Sequence, residues 1–197
     1  MSTSPRRESG LTIVELIIFI VIVSVAAAAV LSTFAMTTRT GADPVRRKQA
    51  LLIAEGFLEE VQQAAFTFCD PTDTKDNPAA PSQCTASLKE QVGPEVAAGN
   101  ARPFDNVNDY VGALDAPYTA FTSNGVLVDA AGVPLGVTGY TATLTLRAEA
   151  LNGITSTADV ETQDVLRATV RVAYGPGATD FIELDAYRTR YAPQVAQ

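Results

Sequence analysis

The side chains able to do chemistry are few. Glu15 opens a run that is otherwise free of charge, Cys69 and Cys84 are the two cysteines, and Asp70, Asp73 and Asp76 recur at every third position between them. Histidine is absent. That removes Ser-His-Asp and Cys-His nucleophile systems, His zinc sites and any His proton shuttle. Two cysteines cannot build a Cys-only zinc site. Neither GxxxxGK[ST] nor GxGxxG occurs, so the usual phosphate-cradling loops are missing. The three aspartates could ligate calcium, but their spacing is not that of an EF-hand. The plainer reading is that they brace turns. The remaining acids are scattered, and no two form a pair that would serve a carboxylate-based hydrolase. The expectation is a chain that is not an enzyme, with no catalytic residue, no metal site and no cofactor.

Composition bounds the partners. The chain has 197 residues, 47% of them hydrophobic, which suits one core with an appendage rather than a disordered polymer. There are 14 Lys+Arg against 22 Asp+Glu, a net charge of −8. Phosphate binding needs concentrated positive charge, so no nucleic-acid partner is expected.

The elements that position these residues begin with a long apolar segment. Residues 16–38 are uncharged, and as a helix they would span about 34 Å at ~1.5 Å per residue. The hydrocarbon core of a bilayer is ~30 Å thick, so the segment can cross it. It is apolar all round, with Ser24, Ser32 and Thr33 its interruptions before Thr37. A helix without a polar face is buried or in lipid. The charges do not settle its orientation: Arg6 and Arg7 precede it, while Arg39, Arg46, Arg47 and Lys48 follow it. The cysteines bear on orientation, because an even pair in a loop-like stretch suits an oxidising compartment. That puts the C-terminal part outside the cytoplasm. A secretory signal carries its small-residue cleavage site after the apolar run; here the small residue, Gly10, comes before it. A carboxylate such as Glu15 at the edge of a membrane segment calls for a function and a partner.

The run R-R-E-S-G-L-T-I-V-E-L-I-I-F-I-V-I-V-S-V, residues 6–25, resembles the class III signal of type IV prepilins and pseudopilins: a basic leader, Gly, Thr, Glu and an apolar helix. The resemblance implies that prepilin peptidase cuts between Gly10 and Leu11 and methylates the new amine of Leu11, where the family more often has Phe. It also implies that Glu15, five residues into the mature chain, pairs with the Leu11 ammonium of a neighbouring subunit and sets register. In low dielectric such a charge-assisted bond is strong. A second stretch, D-P-V-R-R-K-Q-A-L-L-I-A-E-G-F-L-E-E-V over residues 43–61, resembles the region after the anchor in minor pilins of the mannose-sensitive haemagglutinin (MSHA) pilus. The implied partners are other pilin subunits, prepilin peptidase, the inner-membrane assembly platform and the lipid bilayer. The implied location is the inner membrane, single-pass with the C-terminal domain in the periplasm, and then the filament.

The rest of the chain reads as an α+β layout. Gly41, Asp43 and Pro44 predict an interruption, with Asp43 as N-cap and Pro44 in the first turn of a second helical segment over residues 44–66. Ala50, Ala54, Phe57, Leu58, Val61, Ala64 and Ala65 share one apolar face of it, and Gly56 suggests close packing. Arg46, Arg47 and Lys48 would sit in its first turn, where the macrodipole disfavours cations. Lipid phosphates, a neighbour's acids, Glu55, Glu59 and Glu60, or plain solvation would compensate. Residues 69–102 carry Pro71, Pro78, Pro81 and Pro94 and read as loop; a Cys69–Cys84 bridge would close it. Strands are expected at 118–121 and 126–128 around Asn124-Gly125, at 140–149 and 166–174 by alternation, and at 181–187, with 151–164 an excursion. The long N-terminal helix and its packing on an antiparallel sheet follow the pilin pattern. The domain expectation is a leader at 1–10, a transmembrane and assembly helix at 11–38, an amphipathic second half at 39–66 and a globular domain at 67–197.

The leading functional expectation is a minor pilin of a type IV, MSHA-like pilus, with a role in initiation or at the tip and a possible part in adhesion. The alternatives are a minor pseudopilin of a type II secretion system, or a single-pass anchored periplasmic binding module whose loop at 69–102 meets a ligand.

Overall fold

A single helix, α1, runs Ile13–Gln63. The computed structural model describes residues 12–75, 78–94 and 102–190, and of residues 35–43 the backbone alone. Gly41, Asp43 and Pro44 therefore do not interrupt α1, contrary to the sequence expectation, and Pro44 lies inside it. A proline removes one backbone donor and crowds the carbonyl four residues back, which weakens a helix without having to end it. Asp43's expected capping side chain falls outside the described side chains. The chain divides into two compact units between Val45 and Arg46.

In the first unit, Ile13–Phe34 is long and apolar enough to cross a membrane, and none of it is buried. Its hydroxyls bond within the helix. Ser24 donates to the Ile20 carbonyl at 2.7 Å, Ser32 to Ala29 at 2.8 Å and Thr33 to Val30 at 2.7 Å. With those donors satisfied internally, the segment presents hydrocarbon on every side, as lipid requires.

The second unit is built on a three-stranded antiparallel sheet. A small hairpin, β1 (Thr122–Ser123) and β2 (Val126–Leu127), precedes it. The sheet itself is β3 (Thr141–Ala148), β4 (Val165–Ala173) and β5 (Phe181–Thr189), in the order β3-β4-β5. Alternation dictates its two faces: Ala142, Leu144, Leu146, Ala168, Val170 and Val172 are buried, while the residues between them are half-buried or exposed. The buried face meets Ala50, Ala54, Phe57 and Val61, one stripe of α1. This is an α+β, pilin-like layout.

The second strand of the hairpin falls where expected, but the first sits later. Asn124 and Gly125 take φ of 49° and 79° and make the turn, but residues 118–121 are not its first strand. Tyr118 exchanges both backbone bonds with Leu144 at 2.8 Å each, and so lies along β3. The helix ends three residues before Phe66 because the backbone is captured: Ala65 donates to Asp105 at 2.8 Å and accepts from Val107 at 2.9 Å. Gly56 does not serve close packing. Nothing lies within 4 Å of where its Cβ would be.

Between Gln63 and Thr122 the chain has only two short 3-10 turns, Pro81–Gln83 and Val107–Tyr110, among the described residues. Side chains hold this stretch. The Arg102 guanidinium grips both Glu60 carboxylate oxygens and donates to the Val128 carbonyl at 3.1 Å. It also lies 4.8 Å from the Phe121 ring, which stacks on Phe57 at 4.1 Å. Tyr110 donates to Glu60 at 3.0 Å; burial first, then the Glu60 charge, pushes its pKa up. Arg188 donates to the Ala64 carbonyl at the helix end, and Arg190 to Thr67.

Two stability changes of opposite sign follow. Arg102→Ala leaves Glu60 buried without its cation and should cost about 3–5 kcal/mol. Gly56→Ala adds helix propensity in open space and should gain up to about 1 kcal/mol. Urea unfolding of the two variants checks both. An unchanged midpoint for Arg102→Ala would show that the pair carries no weight.

Candidate functional site

The start of α1 brings two residues together that matter for any role of Glu15. Thr12 is the N-cap: its hydroxyl accepts from the Glu15 amide at 3.3 Å, and its carbonyl accepts from Leu16 at 3.1 Å. Thr12-Ile13-Val14-Glu15 has the T-x-x-E spacing of a capping box. The signal for this cap is the four-residue spacing itself. Glu15 thus sits in the first turn, where a carboxylate suits the positive end of the macrodipole. Gly10 and Leu11, the expected processing residues, lie outside the described residues.

The cysteine loop is a second constellation. Cys69 and Cys84 are joined, with Cα atoms 5.5 Å apart and a separation of 15 residues. The two sulfurs and an Asp73 oxygen lie within 4.8 Å of one another, but bonded sulfurs offer no thiolate to a metal. Asp73 instead accepts from the Thr85 amide at 2.7 Å, the Thr85 hydroxyl at 3.1 Å and the Lys75 amide at 3.3 Å. These bonds, that from the Thr85 amide foremost, hold its pKa below the ordinary 3.8. Asp70 accepts from the Thr72 amide at 2.6 Å. Both aspartates brace turns; Asp76 lies outside the described residues. Arg190 closes the far side, its guanidinium 4.3 Å from the Phe66 ring and 3.9 Å from the Phe68 ring. Burial pulls its pKa down to about 10, so it stays charged at neutral pH.

The basic run has a different setting from the one expected. Because α1 continues through Pro44, Arg46, Arg47 and Lys48 do not occupy a first turn, and the macrodipole penalty does not arise. Arg46 donates to the Gly139 carbonyl at 3.1 Å and lies 5.6 Å from the Tyr140 ring, whose hydroxyl donates to Gln49 at 2.9 Å. Gly139, at φ 78°, leaves room for that guanidinium. Glu60, one of the expected acidic partners, is taken by Arg102.

Residues 5–31 match the family described as the prokaryotic N-terminal methylation motif. The chain carries a type IV prepilin-like signal. No curated protein and no solved structure matches the chain. The signal covers Glu15 and most of the apolar face of Ile13–Phe34. It supports a pilin or pseudopilin subunit, a structural role rather than an enzymatic one, and it fits a single-pass inner-membrane anchor. It implies processing by prepilin peptidase and assembly with other pilins.

The Asp73 contacts set a pH dependence. A carboxylate whose pKa is lowered on folding contributes stability that is fully present above the unfolded value, here 3.8. The contribution is lost as pH falls below that and through the folded value. The wild-type chain should therefore lose more stability than Asp73→Asn between about pH 5 and pH 3. Urea midpoints at the two pH values measure it. Equal losses would show that the Thr85 bonds do not favour the ionised form.

Proposed function

We propose that the chain is a minor pilin of a type IV, MSHA-like pilus. In this reading prepilin peptidase cuts between Gly10 and Leu11 and methylates the Leu11 amine. Residues 11–38 then anchor the chain in the inner membrane, with residues 67–197 as a globular domain in the periplasm. Residues 39–63, the amphipathic half of α1, lead from the anchor into that domain. The observation that carries the reading is the methylation motif over residues 5–31, which runs into Ile13–Phe34, a segment of α1 long and apolar enough to cross a membrane and not buried among the described residues. The MSHA-like assignment is supported by the basic run and its sequel at 43–61.

Assembly follows from the chemistry of Glu15. Moved out of the aqueous boundary into a bundle of apolar helices, a lone carboxylate is costly, and an ammonium in hydrogen-bond reach offsets that cost. The Leu11 amine of a neighbouring chain supplies such an ammonium after cleavage. Other pilins and the inner-membrane assembly platform are then the working partners, and initiation or the tip is the place of a minor subunit. Adhesion would fall to the loop around the Cys69–Cys84 bond.

Intact mass and N-terminal sequencing of protein from membranes of its own host test this directly. The expected chain starts at Leu11 and carries one added methyl group; a start at Met1 would overturn the reading. Glu15→Ala should insert into the membrane as the wild type does but fail to enter filaments. Normal filament entry by that variant would remove Glu15 from the register role.

A further inference from the structure

The two edges of the three-stranded sheet differ. β3 is covered along its outer edge: Tyr118 exchanges both backbone bonds with Leu144, and the Asp115 amide donates to the Leu146 carbonyl at 2.9 Å. No described segment does this for β5. Which of its groups point outward follows from the bonds that flank it. The Tyr174 amide donates to the Asp180 carbonyl at 2.9 Å, and the Arg190 amide to the Asp164 carbonyl at 2.7 Å. Both pairs continue the β4–β5 register, so the even-numbered residues of β5 are the ones that bond β4. Its odd-numbered residues, Phe181, Glu183, Asp185, Tyr187 and Thr189, turn their N–H and C=O groups away from the sheet. None of these groups has a backbone partner among the described residues.

Folded proteins usually blunt such an edge with proline, lysine, a bulge or a short strand. β5 has none of these: it runs Phe181–Thr189, pairs residue for residue with β4, and contains neither proline nor lysine. Arg188 is engaged elsewhere, at the Ala64 carbonyl. The side chains along the edge say what it would accept. On the solvent face Glu183 and Asp185 are exposed and make no ion pair among the described residues. Asp185 accepts from the Thr169 hydroxyl. Arg171, opposite Glu183 on β4, lies 3.7 Å from the Phe181 ring. Arg167, whose charge also reaches Asp185, is paired with Glu149 at 3.2 Å. On the other face Ile182 and Leu184 are half-buried at the margin of the core. A second copy of β5 fits this edge poorly, because antiparallel self-pairing would set Glu183 and Asp185 against their own counterparts.

We propose that the free edge of β5 takes up, as an added strand, an extended segment of a different protein whose side chains alternate between apolar and basic. The main chain of that segment pairs with the outward groups from Phe181 to Thr189. Its lysines or arginines fall opposite Glu183 and Asp185 on the solvent face, and its apolar residues cover Ile182 and Leu184 on the other. The backbone bonds supply affinity, and the charges select against acidic strands, this chain's own included. The contact uses neither α1 nor the residues assigned to processing and register, so it stands or falls apart from the pilin reading.

An alternating lysine–valine peptide as long as β5, capped at both ends, is the probe, and the full chain in detergent is the target. Fluorescence anisotropy of the labelled peptide gives the affinity, and amide exchange followed by NMR gives the place. Wild type should bind saturably. The Glu183, Asp185 and Tyr187 amides should then exchange more slowly, while the even-numbered amides of β5, already in the ladder, change little. A peptide of the same composition with its lysines and valines in separate blocks should bind at least about tenfold more weakly. Asp185→Pro, which removes an outward donor and leaves the ladder bonds in place, should weaken binding by a similar factor. Glu183→Lys/Asp185→Lys should exchange its preference, losing the lysine–valine peptide and binding a glutamate–valine counterpart. That gain also shows the variant to be folded. No saturable binding, equal binding of the blocked peptide, slowed amides away from β5, or a double reversal that keeps its preference would each overturn the proposal.

Discussion

The globular unit depends on one buried ion pair. Glu60 comes from α1 and Arg102 from a stretch with no strand among the described residues, and their side chains are only 10% and 7% exposed. Burying two charges is favourable only when their remaining hydrogen-bonding capacity is met. Here it is: Tyr110 and both arms of the guanidinium fill the carboxylate, and the third arginine nitrogen reaches the Val128 carbonyl. The guanidinium plane also lies over the Phe57–Phe121 stack. Helix, hairpin and the irregular segment therefore meet at a single cation, and the hydrophobic core is sealed by it.

That arrangement answers a problem created by the chain's middle third. A long run without helix or strand must still satisfy its buried backbone groups. The structure does this with side chains sent from regular elements. Arg188 on β5 takes the carbonyl of Ala64, and Arg190 just beyond it takes that of Thr67. Asn106 caps its own turn by accepting from Asn108, and Asn108 donates to Gln163 at 3.1 Å. The Cys69–Cys84 bond closes the remaining excursion, where the chain-entropy effect of a loop this size is about 3 kcal/mol. The loop is irregular in backbone but tightly specified in its contacts.

What could be read from the sequence follows from how local each cause is. The alternation Ala142, Leu144, Leu146 and its partner in β4 is a property of neighbouring residues, so the sheet was legible. So was the apolar run of α1, because a helix without a polar face declares its solvent. The end of the helix was not legible. Ala64, Ala65 and Phe66 continue the apolar spacing, and it is Asp105 and Val107, some 40 residues on, that pull Ala65 out of it. The Glu60–Arg102 pair and the Arg190 clamp join residues 42 and 123 positions apart, and nothing local announces them. Thr12 is the opposite case, a cap signal three residues from Glu15 and wholly local in its cause.

The residues of α1 that break local rules carry the last step. Pro44 removes a donor from a helix interior, and Gly56 gives up as much as about 1 kcal/mol of helix propensity, whereas Glu15, a charge beside an apolar run, is suited to its place in the first turn. Neither Pro44 nor Gly56 is offset by packing among the described residues: Pro44 is exposed, and the space at Gly56 is empty. The core stripe of the same helix, Ala50, Ala54, Phe57 and Val61, breaks no rule at all. Local conflicts on faces that a protein does not use for its own fold mark positions whose residue types the fold does not explain. The helix thus divides into one stripe that folds the globular unit and a remainder that this core does not use.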